Sequence, residues 1–178
     1  MNYDKYIYWN MKSIQIRHAG INDCDGVIDM IKELAIFQNF GSSEITNTSN
    51  ILIRDGFGSG EKWFQIFVAE ANKKENEEEK MLVGFVLFFR SYSSWNGRIL
   101  RIDDIYVKPE FRGNGVGTKL LKEVAKEAIK ENCVRIHWNV LDWNENAKKF
   151  YEKCGAKVES DWQMWVLKGE SLQNFVKS

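Results

Sequence analysis

Ser13-Ile14-Gln15-Ile16-Arg17-His18 alternates polar and apolar side chains, the period-two signature of a half-buried strand. Asn22 or Asp23 then stands where an N-cap belongs, and Ile28, Ile31, Leu34 and Ala35 recur at helical spacing, predicting a helix with one buried stripe. Gly41 to Asn50, rich in Ser, Thr and Asn, reads as a loop, and a short helix is ended by the glycines of Asp55-Gly56-Phe57-Gly58. Phe64 to Glu70 and Met81 to Arg90 read as strands. The charged run Asn72 to Lys80 between them has nothing to bury and reads as a solvated hairpin loop. Ile99 to Val107 is a further strand, stopped at Lys108-Pro109. The clearest helix runs from Gly115 to Glu131, with Val116, Leu120, Leu121, Val124, Ala125, Ala128 and Ile129 on one face and Lys and Glu on the other. Val134 to Val140 reads as a strand, Asn144 to Lys153 as a helix ended by Gly155, and Trp162 to Leu167 as a last strand. This order predicts an α/β fold: a mixed central sheet with an antiparallel N-terminal meander, flanked by helices.

The length of 178 residues suits one domain, 1–178, with residues 1–12 as a flexible N-terminal extension, and a single proline, Pro109, leaves no Pro-rich linker to divide it. Lys plus Arg number 25 and Asp plus Glu number 25, so the chain has no basic footprint for nucleic acid. Cys24, Cys133 and Cys154 form no CxxC pair, and with only His18 and His137 beside them no metal site is expected. Free thiols suit the cytoplasm. The opening MNYDKYIYWNMK mixes charges with aromatics, unlike a signal peptide, and no run of about 18 apolar residues could span a membrane. The seven tryptophans read as core and interface residues rather than as a base-stacking surface.

The chemistry concentrates between Asp103 and Thr118, where Asp103-Asp104-Ile105-Tyr106-Val107 feeds Lys108-Pro109-Glu110-Phe111 and then Arg112-Gly113-Asn114-Gly115-Val116-Gly117-Thr118. A strand entering a glycine-rich turn that opens a helix can curl its N–H groups around phosphate oxygens, helped by the partial positive charge of the helix start and by Arg112. No Gly-Lys-Ser/Thr follows, so the turn is not a Walker loop, and the glycine spacing is not that of a Rossmann fingerprint. On these residues alone, a purely structural turn is an equal reading.

Arg112-Gly113-Asn114-Gly115-Val116-Gly117 resembles the Arg/Gln-x-x-Gly-x-Gly/Ala pyrophosphate signature of the GNAT superfamily of acetyl-CoA-dependent N-acetyltransferases. The second landmark of that family, a strand followed by Asn and a helix containing Phe-Tyr, is matched by Val140 to Ala156. Ile31-Lys32-Glu33-Leu34-Ala35, Asp55-Gly56-Phe57-Gly58, Val68-Ala69-Glu70 and Val83-Gly84-Phe85 are similar to the spermidine/spermine (diamine) acetyltransferases, and Leu141-Asp142-Trp143-Asn144 to their thialysine acetyltransferase branch. The resemblance spans about Ile14 to Leu167 and implies a homodimeric GNAT-fold enzyme that acetylates a primary amine of a small polyamine or lysine-like molecule, with acetyl-CoA as co-substrate and no metal. It implies that Ile105, Tyr106 and Val107 hold the pantetheine arm and the thioester, that Gly113, Asn114, Gly115, Val116, Gly117 and Thr118, with Arg112 before them, bind the pyrophosphate, and that Asn144, Glu145, Asn146 and Ala147 form a second cofactor segment. Tyr151 matches the catalytic tyrosine and Asp103 an amine-contacting glutamate. Asp104, Phe37, Gln38, His137, Trp138 and Asn139 fall on the substrate path.

Two departures narrow the acceptor. Phe37-Gln38 stands where polyamine-specific relatives carry Tyr-Glu, and Asp103 is one methylene shorter than the glutamate of the family. An acidic residue expected after Gly155 is either Glu159 or Asp161. Read without the resemblance, Asp-Asp on a strand is a solvated face, Phe-Tyr on a helix is core packing, and His137 is as well a packed histidine as a substrate contact. The rival functions are a protein lysine or N-terminal acetyltransferase, whose extended groove the Gly41–Gly58 segment would occupy, and a non-catalytic acetyl-CoA-binding module.

Overall fold

The computed structural model describes residues 14–41, 44–72 and 79–177. Residues 1–12, read above as an extension, lie outside them, as does most of the charged loop between Asn72 and Lys80. The chain forms two compact units, Met1–Asn139 and Val140–Ser178.

The first unit is built on a five-stranded sheet in the order β1 (Gln15–His18), β2 (Gln65–Asn72), β3 (Lys80–Ser93), β4 (Gly97–Val107) and β5 (Ile136–His137). The first four strands are antiparallel neighbours, and β5 runs parallel to β4. A parallel pair needs a long crossover, supplied here by helix α3 (Val116–Lys130). Helix α1 (Cys24–Phe37) lies between β1 and β2 in the chain, followed by the short α2 (Ser49–Leu52), whose N-cap Thr48 accepts a hydrogen bond from the Ile51 amide at 3.3 Å. Asp23 does precede α1, but its carboxylate accepts from the Gly20 amide at 2.7 Å and pairs with Arg17 at 2.6 Å instead of capping the helix.

The meander strands are apolar on both faces because helices cover both. Val27, Ile28, Met30 and Leu34 of α1 pack on Ile66, Val68, Phe85 and Leu87. The intervening Phe67, Val86 and Phe88 are buried as well, and Phe67 and Phe88 stack at 5.4 Å. The helical stripe of α3 is buried at Val116, Leu120, Leu121, Val124 and Ala128. Gly84 permits a close approach there: a Cβ on it would come within 2.7 Å of the Tyr106 carbonyl oxygen. One carboxylate, Glu70, is only 5% exposed. Arg17 at 2.6 Å and Lys80 at 3.0 Å compensate its charge and hold its pKa below the usual range.

In the second unit, Asn144 caps helix α4 (Glu145–Lys153) by accepting from the Ala147 amide at 3.1 Å, and helix α5 (Gly169–Lys177) follows. Three expectations need correction. The strand expected over Val134 to Val140 is reduced to Ile136–His137. The strand expected over Trp162 to Leu167 is absent: the segment has no ladder, and among its described residues this unit contains no strand to pair with it. The sequence reading also missed α5, although Leu172, Phe175 and Val176 stand at helical spacing.

Candidate active site

Strand β4 carries the candidate residues Asp103 to Val107 and is paired unequally on its two sides. Toward β3 its ladder runs to Val107, opposite Gly84, whereas toward β5 it pairs only at Leu100 with Ile136 and Arg101 with His137. Beyond His137 the chain leaves the ladder through Trp138 and Asn139, so β4 from Ile102 onward lies on the edge beyond its ladder with β5. Ile105, Tyr106 and Val107 form the last three positions of that edge.

A bulge shapes the middle of the edge. Leu87 pairs with Asp104 and Phe88 with Ile102, leaving Asp103 as the extra residue. Asp103 is exposed and Asp104 half-buried. Burial, and secondarily the charge of Asp103, push the Asp104 carboxyl up to about 6.

Past Val107 the chain makes a 3-10 turn, Pro109–Phe111, anchored by the buried Phe111 ring, and then the glycine turn. Gly113 and Gly115 have φ of 77° and 76°, in the left-handed region where glycine is unstrained. Asn114 braces the turn by donating to the Arg112 carbonyl at 3.0 Å. Gly115 is the N-cap of α3, so the amides of Val116, Gly117 and Thr118 fall in the first turn, where helix geometry provides no acceptor. No acidic side chain lies in that turn, and a Cβ at Gly113 or Gly115 would meet nothing within 4 Å. The cradle therefore suits an anionic group.

Arg112 lies at the rim of the cradle. Its Nε donates to the Val107 carbonyl at 2.8 Å, and its Cζ sits 5.2 Å from the ring centroid of Phe37 and 5.5 Å from that of Tyr106. Tyr106 in turn donates its hydroxyl to Glu33 Oε2 at 3.0 Å, and Lys108 Nζ is 3.7 Å from Glu33 Oε1. Burial and the Glu33 carboxylate raise the Tyr106 pKa. Phe37 and Gln38 close the C-terminal end of α1, so part of the predicted substrate path lies beside the predicted pyrophosphate arginine. Glu33 is not among the residues that the resemblance places in the site. Its signal was its position one turn before Phe37 on the same helix face.

In the second unit, Asn144, Glu145, Asn146 and Ala147 form the start of α4. Glu145 pairs with Lys148 at 2.8 Å, which lowers its pKa. Tyr151 is 9% exposed, and its ring lies 5.0 Å from that of Phe150. Glu159 and Asp161 both lie in the exposed segment after α4.

Residues 33–156 match the acetyltransferase (GNAT) family. The chain belongs to the GNAT family. It is 36% identical to thialysine N-epsilon-acetyltransferase of Sus scrofa, over 92% of this chain and 97% of that one. With its counterpart in Mus musculus the identity is 37%, over the same shares. An integron cassette protein from the mobile metagenome of V. cholerae shares the fold at a TM-score of 0.71 and 20% identity, over 93% of this chain and 99% of that one. The α/β GNAT fold expected from the sequence is therefore observed, with the antiparallel meander in its expected place. As a GNAT protein the chain is an N-acetyltransferase that uses acetyl-CoA as co-substrate. The open cradle at the start of α3 fits the pyrophosphate of that co-substrate.

Proposed function

We propose that this GNAT enzyme transfers the acetyl group of acetyl-CoA to the primary amine of a small lysine-like or polyamine acceptor, by direct attack within a ternary complex. The observation that carries the reading is the acidic pair Asp103–Asp104 at the bulge of the same strand that ends in the phosphate cradle. An ammonium held there lies along the strand from the thioester, and the thialysine-acetylating relatives support an acceptor of that length.

An alkylammonium with a pKa near 10.4 is neutral in about one molecule in 2,500 at pH 7. Asp103 contacts the amine, and its charge favours the protonated form. Transfer of the proton directly to Asp104, at about 6, is uphill by roughly 6 kcal/mol, against roughly 9 for an unperturbed aspartate. The burial of Asp104 thus eases deprotonation without completing it, and a water relay or capture of the neutral amine supplies the rest. The amine nitrogen then bonds to the thioester carbon. Backbone N–H groups around Ile105–Val107 stabilise the oxyanion, and Tyr151 protonates the thiolate as the carbon–sulfur bond breaks. The start of α4, from Asn144 to Ala147, contacts the cofactor, and His137, Trp138 and Asn139 line the acceptor path. Residues 1–178 work as one GNAT domain in a cytoplasmic homodimer, the homodimer being what the resemblance to the diamine acetyltransferases implies.

Acetyl-CoA consumption measured with thialysine, lysine, putrescine, spermidine, spermine and a histone-tail peptide tests the proposal. Turnover highest on thialysine or another small amine supports it. Preference for the peptide assigns the enzyme to protein acetylation, and no turnover on any acceptor leaves an acetyl-CoA-binding module.

A further inference from the structure

Glu33 and Phe37 are one turn apart on α1, and each grips a different part of the strand-and-turn segment that ends in the phosphate cradle. We infer that these two residues are positioning residues for the co-substrate: Glu33 fixes the Tyr106 ring, and the Phe37 and Tyr106 rings together hold the Arg112 guanidinium where it meets the pyrophosphate. The inference rests on the reading of Arg112 as the pyrophosphate cation, and it moves Phe37 from the acceptor path to the cofactor side.

An exposed arginine normally samples many rotamers, and a ligand that captures it must order it. Arg112 is ordered in advance. The only hydrogen bond of its side chain among the described residues runs from Nε to the Val107 carbonyl, so the two terminal amino groups keep their four N–H donors. The Phe37 and Tyr106 rings hold its Cζ at 5.2 Å and 5.5 Å from their centroids, a cation–π contact that restrains the group without consuming those donors. Tyr106 is fixed at both ends, by its place in the ladder opposite Phe85 and by its hydroxyl on Glu33. Glu33 is steadied by Lys108. The arrangement makes α1, an element outside the glycine turn, responsible for the direction of the charge at its rim.

The test is titration calorimetry of CoA with the full chain, together with the KM for acetyl-CoA and for S-acetylpantetheine, which carries the thioester arm without any phosphate. Arg112→Ala should weaken CoA binding. If it does not, the parent reading of Arg112 fails, and this inference fails with it. Given that loss, Phe37→Ala should weaken CoA binding about 3–10-fold and raise the KM for acetyl-CoA with little change in kcat. It should leave the KM for S-acetylpantetheine unchanged, and Phe37→Tyr should restore binding. Glu33→Ala should act in the same direction by a few-fold. In the Arg112→Ala background, Phe37→Ala should add nothing. Full additivity, an equal loss with S-acetylpantetheine, or wild-type affinity in both Phe37→Ala and Glu33→Ala would overturn the positioning role while leaving Arg112 in place. Thermal unfolding of each variant identifies a general loss of fold, and Phe37, at 39% exposure, tolerates truncation.

Discussion

Asp103 and Asp104 are chain neighbours in different surroundings. The bulge in β4 makes Asp103 the extra, exposed residue, while Asp104 stays in register opposite Leu87 and is half-buried. One carboxylate is thus open to solvent, and the other is poised near the middle of the pH range by burial and by its neighbour.

That difference has a consequence for stability. The folded protein holds the Asp104 proton up to about pH 6, whereas the unfolded chain releases it near 3.8. Stability should therefore fall as pH rises between those values, leaving a penalty of roughly 2–3 kcal/mol at pH 7. Asp104→Asn should raise the melting temperature at pH 7 by about 5 °C and flatten the slope between pH 4 and 6. Parallel melting curves for the two proteins across that range would show that Asp104 ionises as an ordinary surface carboxylate.

The glycine turn should be intolerant of charge more than of bulk. Gly115→Ala strains a left-handed residue by about 1 kcal/mol but faces open space, so CoA binding should weaken only modestly. Gly115→Asp adds a carboxylate beside the phosphates and should weaken binding at least tenfold beyond the alanine variant, as read by calorimetry.

Tyr151→Phe removes a single hydroxyl from a buried ring. Acetyl-CoA affinity should stay within about twofold, and kcat should fall by about 10²–10⁴-fold if the hydroxyl protonates the departing thiolate. Wild-type turnover in this variant would make Tyr151 a packing residue of α4.

Gln38 caps the C-terminal end of α1, where the resemblance to polyamine acetyltransferases implies a carboxylate. Each exposed charge contact contributes roughly 0.2–1 kcal/mol, so Gln38→Glu should improve kcat/KM for spermine over thialysine by no more than about fivefold. A hundredfold preference of the native enzyme for spermine, or a ratio unmoved by the substitution, would remove Gln38 from the acceptor path.

Much of this molecule was readable along the chain because its signals are local. The alternation in β1, the apolar runs of β2 to β4, the stripe on α3 and the Arg112–Gly117 turn depend on side-chain period and on backbone freedom at glycine, both carried by neighbouring residues. The membership of the GNAT family follows from the same order of landmarks.

What tertiary structure decided are the relations that cross long stretches of chain. The end of the β4–β5 ladder at His137 opens an edge that no local pattern announces, because Val134 to Val140 has the composition of a longer strand. The extra residue at Asp103 is set by register against β3, and so is the difference between two identical side chains. Trp162 to Leu167 has strand-like residues and no ladder, since a strand exists only where another strand supplies its hydrogen-bond partners. The path from Glu33 through Tyr106 and Arg112 to Phe37 joins residues about seventy positions apart through packing of α1 on the sheet. Sequence supplied the chemistry of each group; the fold decided which groups meet, because hydrogen bonds and ring contacts act over a few ångströms of space whatever their separation along the chain.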